Sequence, residues 1–275
     1  MSLIGVLHPG AMGTFLASAF AAEDEVGWVS AGRSEQTRQR ASDLREFATL
    51  AELAAAAELL VSICPPGRAR ELAAGVGATG FAGLYLDANA VSPATMHAVV
   101  AALPRASVVD GAVIGGPSTD SAVLHLSGPD AARVATLVDA DVLRVEVHEA
   151  AVGAASALKA SYALTTKAKA ALLFAARASA RASGMEAPLI AEWERTQPGL
   201  TIEVDRGAAP VGRKAWRFVD EMREAAGYLE DLGLPGGFSG AAAEVYARLS
   251  ELPRDADVEA AEAMDLLIAA TRPPA

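Results

Sequence analysis

The sequence predicts an α/β domain with a mainly parallel sheet, followed by an all-α domain built on one long helix. Three observations predict it. The chain opens on a short apolar run, Leu3 to Leu7, that breaks at glycines and passes directly into an Ala-rich helix. Short apolar runs then alternate with helical stretches as far as Glu149, the pattern of repeated βα units. Beyond Glu149 strand signals stop and helical periodicity takes over. The expected division is 1–149 and 150–275, with no internal repeat.

Composition narrows the function classes. Apolar residues make up 52% of 275, enough for a sizeable core. The net charge is -11 and no basic run occurs, so nucleic acid and anionic membrane surfaces are poor partners. A small-molecule substrate is expected instead. The one cysteine, Cys64, has no partner for an internal disulfide and fits a reducing cytoplasm. The N-terminal stretch does not read as a signal peptide, and charged residues cut every apolar window long enough to span a bilayer. No metal site is read from the sequence. The tail from Arg272 to Ala275 is expected to be loose.

The opening segment reads strand, turn, helix: Leu3 to Leu7, then His8-Pro9-Gly10-Ala11-Met12-Gly13, then a helix from Met12 to Ala22. That is the start of a Rossmann-type dinucleotide-binding unit. A helix N-terminus offers unpaired N–H groups and partial positive charge to a pyrophosphate. Gly10 lets backbone approach the phosphates, and Gly13 lets the helix pack close to the strand. His8 stands where the first glycine of G-x-G-x-x-G belongs.

The second strand, Glu25 to Ser30, leads into Ala31-Gly32-Arg33-Ser34. An acidic residue here would accept the ribose 2′-hydroxyl of NAD; there is none. Arg33 and Ser34 can instead hold a 2′-phosphate, which favours NADP(H) over NAD(H). A third strand is expected near Arg45 to Ala48. A helix from Leu50 to Ala57 follows, with Thr49 as its N-cap and Glu52 as the capping-box partner. Glu58 to Cys64 is a fourth strand, stopped by Pro65-Pro66-Gly67 beside the expected cofactor. Cys64 reads as a small buried residue, since no histidine is placed to activate it.

Leu84 to Asp87 is the fifth strand, followed by Asn89 and by Ser92-Pro93, which start a helix. Ser107 to Asp110 is the sixth. The loop Gly111-Ala112-Val113-Ile114-Gly115-Gly116-Pro117-Ser118 follows, and its paired glycines suit a substrate carboxylate or phosphate. Val123 to Ser127 and Leu143 to Val147 close the sheet, with a helix between them. One helix is expected from Ala150 to Ser183, ended by Gly184. Lys159, Tyr162 and Thr166 fall on one face of it, and a partly desolvated Lys159 could shuttle a proton. Lys167 and Lys169 read as surface or dimer-face residues. Later helices are expected over Pro188 to Thr196, Lys214 to Leu232, Gly240 to Leu249 and Asp257 to Thr271.

Four motifs resemble the β-hydroxyacid dehydrogenase and 6-phosphogluconate dehydrogenase superfamily: Ile4 to Gly13, Ile63-Cys64-Pro65-Pro66-Gly67, Asp110 to Gly116, and Gly153 followed by Lys159. The resemblance implies cofactor contacts from His8 to Gly13, at Arg33 and Ser34, and at Cys64, Pro65, Pro66 and Asn89. It implies substrate contacts at Ile114, Gly115, Gly116 and Thr166, and catalysis by Lys159 with Tyr162. It also implies a homodimer with interlocked second domains. Ile114 stands where the family has a serine, Tyr162-Ala163 where it usually has asparagine, and Asp220-Glu221 near its later Lys-Asp pair. The activity implied is hydride transfer between a nicotinamide and a carbonyl or hydroxyl carbon. Imine reduction on the same architecture and a non-catalytic NADPH-binding module are the alternatives.

Overall fold

The computed structural model describes residues 3–20, 24–117, 120, 122–253 and 258–269. The expected ends at Ala22, Asp257 and Thr271, the loop residue Ser118 and the tail from Arg272 lie outside them. Contacts divide the chain into two compact units, Met1–Ala160 and Ser161–Ala275. Strand signals end at Glu149, yet the first turns of the next helix belong to the first unit. Asp110 and Ser127 of the sheet hold them by hydrogen bonds.

The first unit holds an eight-stranded sheet in the order β3-β2-β1-β4-β5-β6-β7-β8. The strands are β1 Leu3–Val6, β2 Glu25–Val29, β3 Arg45–Phe47, β4 Leu59–Ser62, β5 Leu84–Asp87, β6 Ser107–Ile114, β7 Val123–Ser127 and β8 Arg144–His148. All neighbours pair parallel except β6 with β7. The order reverses between β1 and β4, so their carboxyl ends open a crevice at the switch point, the place where open α/β sheets take ligands. On one face Ile4, Val61, Leu86 and Leu124 pack against Leu16 and Phe20 of α1 (Ala11–Phe20) and Val134 of α6 (Ala131–Ala135). On the other, Leu60 and Tyr85 pack against Leu53 of α3 (Leu50–Ala56), Val76 of α4 (Ala69–Ala78) and Met96 of α5 (Pro93–Ala102).

The capping expectations hold. Thr49 accepts from the Glu52 N–H and Ser92 from the Thr95 N–H. The Glu52 carboxylate reaches back to the Ala48 N–H rather than to Thr49. Sequence and structure differ at β6, which runs on to Ile114 instead of stopping at Asp110. Gly111 does not start a turn: a Cβ there would lie 2.7 Å from Leu86 Cδ1, so the glycine serves close strand packing.

The second unit is helical. The expected single helix is instead α7 (Ala154–Ala163), a π turn over Leu164–Ala168, and α8 (Lys169–Ala182). Gly184, at φ +70°, ends it in the left-handed region. Tyr246 Oη donates to the Lys167 carbonyl within the wide turn (2.7 Å). The longest helix is α10 (Leu200–Asp231), joined by α9 (Glu186–Thr196), α11 (Gly237–Leu249) and α12 (Ala260–Ala269). The helix expected from Lys214 thus begins at Leu200 and runs through Pro210. Buried Val204, Ala208, Val211 and Ala215 supply a continuous packed stripe there, which outweighs the proline. Arg177 and Arg181 pair with Glu186, Asp205 and Asp265, tying α8 to α9, α10 and α12.

Asp87, at the end of β5, is fully buried, and desolvation pushes its carboxyl up to about 7, with Asp110 raising it further. A carboxyl raised in the folded state contributes least at high pH: stability falls as pH rises from its unfolded value through about 7. Asn in its place keeps the acceptor for the Asn89 N–H and removes that loss. Asp87→Asn should therefore raise the melting temperature at about pH 8 and raise it less at about pH 5.5. Equal shifts at both would contradict this.

Candidate functional site

The crevice at the sheet's switch point is built from the loops after β1, β2 and β4. After β1, the His8 carbonyl lies under α1: a Cβ on Gly13 would sit 2.0 Å from that oxygen. Gly13 is required for the helix to approach the strand, as the sequence implies. A Cβ on Gly10 would meet nothing within 4 Å, so the space above the loop is open. His8 replaces a glycine without strain, because among the described residues no side-chain-bearing residue has positive φ.

Cations converge on this loop. Arg33 folds back from the end of β2 and its Nη2 donates to the Leu7 carbonyl at 2.8 Å. Arg68 follows the turn at Pro66–Arg68 after β4. Burial first, then the charges of Arg33 and Arg68, hold the His8 imidazole down at about 4, so it is neutral near pH 7. Burial and Arg68 likewise lower Arg33. His8 Nδ1 and Arg33 Nε are buried without a hydrogen-bond partner. In a chain of net charge -11, this is a local concentration of positive charge. Ser34 caps α2 (Glu35–Arg40), accepting from the Thr37 N–H and bonding the Thr37 hydroxyl at 3.1 Å.

The loop after β4 is held by Asn89. Its Oδ1 accepts from the Cys64 N–H at 2.5 Å and its Nδ2 donates to Ser62 Oγ at 2.8 Å. Both ends of the amide are engaged and the residue is buried, so its visible work is to fix the Cys64-Pro65-Pro66 loop. Burial, then Asp87, pushes the Cys64 thiol up to about 12, in keeping with an inert residue.

A second group of candidates meets at the carboxyl end of β6. Lys159, on α7, donates from Nζ to the Val113 carbonyl at 2.5 Å. That carbonyl directly precedes Ile114, Gly115 and Gly116. Gly115 needs its glycine twice over: φ is +108° and a Cβ would lie 2.7 Å from Ala122 Cα. Gly116 faces open space. Asp110 sets Lys159 in place. Its fully buried carboxylate accepts from the N–H groups of Gly153 (2.9 Å) and Ser156 (3.0 Å) and the hydroxyls of Ser156 (2.6 Å) and Ser127 (3.0 Å). It therefore caps α7 from within the sheet. Sequence reasoning quoted Asp110 only as part of a motif; the signal was a charge ending an apolar strand, which burial obliges to find donors.

Tyr162 and Thr166 belong to the second unit. Tyr162 is exposed, and the Thr166 hydroxyl donates to the Tyr162 carbonyl inside the π turn. Thr166 lies in the π turn Leu164–Ala168 rather than in regular α-helix. Lys167 is not a free surface lysine: it pairs with Glu221 at 2.8 Å and lies over the Phe218 ring. Lys169 pairs with Glu203.

Residues 180–249 match a family described as a domain of unknown function, DUF1932. An uncharacterised 28.5 kDa protein of Methanothermus fervidus is 30% identical over 196 residues, which span 70% of this chain and 77% of that one. The chain belongs to the family of that protein. Among solved structures, a 3-hydroxyisobutyrate dehydrogenase of Mycobacterium tuberculosis is similar with a TM-score of 0.70 and 17% identity, over 97% of this chain and 99% of that one. A reductive aminase of Aspergillus terreus, solved with NADPH and ethyl levulinate, is similar with a TM-score of 0.53 and 17% identity, over 97% and 99%. The fold is thus the one that these dehydrogenase and reductase structures share. No helix among the described residues is long and apolar enough to cross a membrane.

The two glycines of the first loop should separate fold from binding. Gly13→Ala forces a Cβ into the His8 carbonyl and should lower the melting temperature markedly. Gly10→Ala should leave the melting temperature unchanged yet weaken NADPH roughly tenfold or more, since only a ligand would meet its Cβ. Unchanged NADPH affinity in Gly10→Ala would contradict this placement.

Proposed function

We propose that the chain is an NADP(H)-dependent oxidoreductase that transfers a hydride between the nicotinamide and a carbonyl or hydroxyl carbon, with Lys159 as general acid and base. The observation behind this reading is the cationic crevice: Arg33 and Arg68 beside His8, at the N-terminus of α1, with no carboxylate from Ser30 to Ser34. The residues fit the cofactor. The amides of Ala11 to Gly13 would take its pyrophosphate, Arg33 and Ser34 would hold its 2′-phosphate, and the Cys64-Pro65-Pro66 loop would meet its nicotinamide half. When bound, the nicotinamide supplies or takes the hydride.

The rest falls to this chain's side chains. Lys159 Nζ, fixed at the Val113 carbonyl, holds the proton that the substrate oxygen needs or releases. The amides of Gly115 and Gly116 take an acidic group of the substrate. Ile114 offers no hydroxyl there, which favours a substrate less polar than a small 3-hydroxy acid. An imine nitrogen would draw on the same Lys159 proton, or on Tyr162.

The functional form is a homodimer. The second unit carries an open apolar groove of about 840 Å³ lined by Leu164, Leu172, Leu229, Leu234, Phe238 and Val245. Phe238 is 76% exposed and Leu172 66%, more apolar surface than a soluble monomer usually leaves uncovered.

Fluorescence titration with NADPH and NADH tests the cofactor reading, followed by a screen of carbonyl and imine substrates. NADPH should bind more tightly than NADH, and Arg33→Ala should remove the preference. Lys159→Ala should keep NADPH binding and lose about 10²–10⁴-fold in rate. Light scattering of the same preparation should give the mass of a dimer. Tight NADPH binding with no turnover, indifferent to Lys159→Ala, would establish a non-catalytic binding module instead.

A further inference from the structure

A second cluster of chemistry-bearing side chains lies on β7 and β8. These strands pair parallel, with His125 opposite Glu146 and Ser127 opposite His148. Side chains alternate along a strand, so His125, Glu146 and His148 project from one face of the sheet. Each offers a ligand atom, and the three atoms lie within 4.8 Å of one another. His125 Nδ1 is 3.1 Å from His148 Nε2 and 3.6 Å from Glu146 Oε2. Zinc bonds of about 2.0–2.1 Å in tetrahedral array set ligand atoms roughly 3.3 Å apart, between those two distances. We propose that His125 Nδ1, His148 Nε2 and the Glu146 carboxylate bind one divalent ion of the zinc class.

Several features favour an ion over a simple histidine pair. The chain has four histidines, and two of them meet here beside a carboxylate. All three residues are partly buried: water is restricted yet an ion can enter, and a fourth position stays open to water. Imidazole must be neutral to ligate. Without an ion the two rings share one proton in an N–H···N bond. A bound ion takes the two nitrogens of that bond, and the N–H moves to the other nitrogen of its ring. Glu146 is also held by Arg144, which bonds its other oxygen, Oε1, at 2.5 Å. That second contact orients the ligating carboxylate.

The site pins the sheet's edge strand. His148 is paired with Ser127, whose hydroxyl accepts from the Ala155 N–H of α7. An ion here would fasten β8 to β7 in the lane next to the cap of α7. It would raise stability and take no step in hydride transfer.

The test uses the full chain, stripped with a chelator and titrated with Zn²⁺ by calorimetry and with Co²⁺ by visible absorption. One ion per chain should bind, with the intense bands of four-coordinate Co²⁺ and a rise in melting temperature. His125→Ala and His148→Ala should each weaken binding at least about 100-fold, and Glu146→Gln roughly tenfold. Circular dichroism verifies that each variant folds, and His97→Ala should bind like the wild type. No stoichiometric binding, or an affinity that survives both His125→Ala and His148→Ala, would overturn the proposal.

Discussion

The buried carboxylate of Asp110 is the constraint on which the first unit depends. It sits at the middle of β6 with no exposure, and four donors from β7 and α7 close around it. A charge so placed costs several kcal/mol unless it is fully bonded. The backbone is shaped to bond it: Gly153 takes φ +105° and its N–H donates to the carboxylate, so the chain turns off the sheet and starts α7 there. The helix dipole then has an anion at its positive end. One turn further on, Lys159 reaches the Val113 carbonyl. A sheet strand thereby sets both the glycine turn after Ile114 and the ammonium beside it.

The crevice at the sheet's switch point follows a different logic, in which positive charge gathers around one loop. Burial, then Arg33 and Arg68, depress the neighbouring imidazole of His8, and burial and Arg68 lower Arg33. Gly13 keeps α1 close enough for its N-terminus to share that field, while the space over Gly10 stays clear. Asn89 and Asp87 stand behind the crevice. Asn89 ties the β4 loop down, and the Asp87 carboxyl accepts from the Asn89 N–H.

Much of this was legible in the sequence where local rules decide. The runs Leu84–Asp87 and Val123–Ser127 are short, apolar and bounded, and they are strands with those limits. Thr49 and Ser92 cap helices because a side-chain oxygen meets an orphan N–H two or three residues on, a purely local event. Where tertiary packing decides, the sequence misleads. Gly111 reads as a turn but serves close contact with Leu86. A helix is expected only from Lys214, yet Val204, Ala208 and Val211 bury along one stripe and carry α10 across Pro210 from Leu200. The π turn at Leu164–Ala168 has no sequence signature. His125, Glu146 and His148 are invisible in one dimension, because only strand register joins them.

The central claim is that the loops after β1 and β4 form a site for a phosphorylated dinucleotide. Hydrogen–deuterium exchange of the full chain, with and without NADPH, tests it most directly. Protection should appear at the amides from Gly10 to Thr14 and from Ile63 to Arg68, and at Arg33 and Ser34. Protection confined to other segments, or none at saturating NADPH, would contradict it.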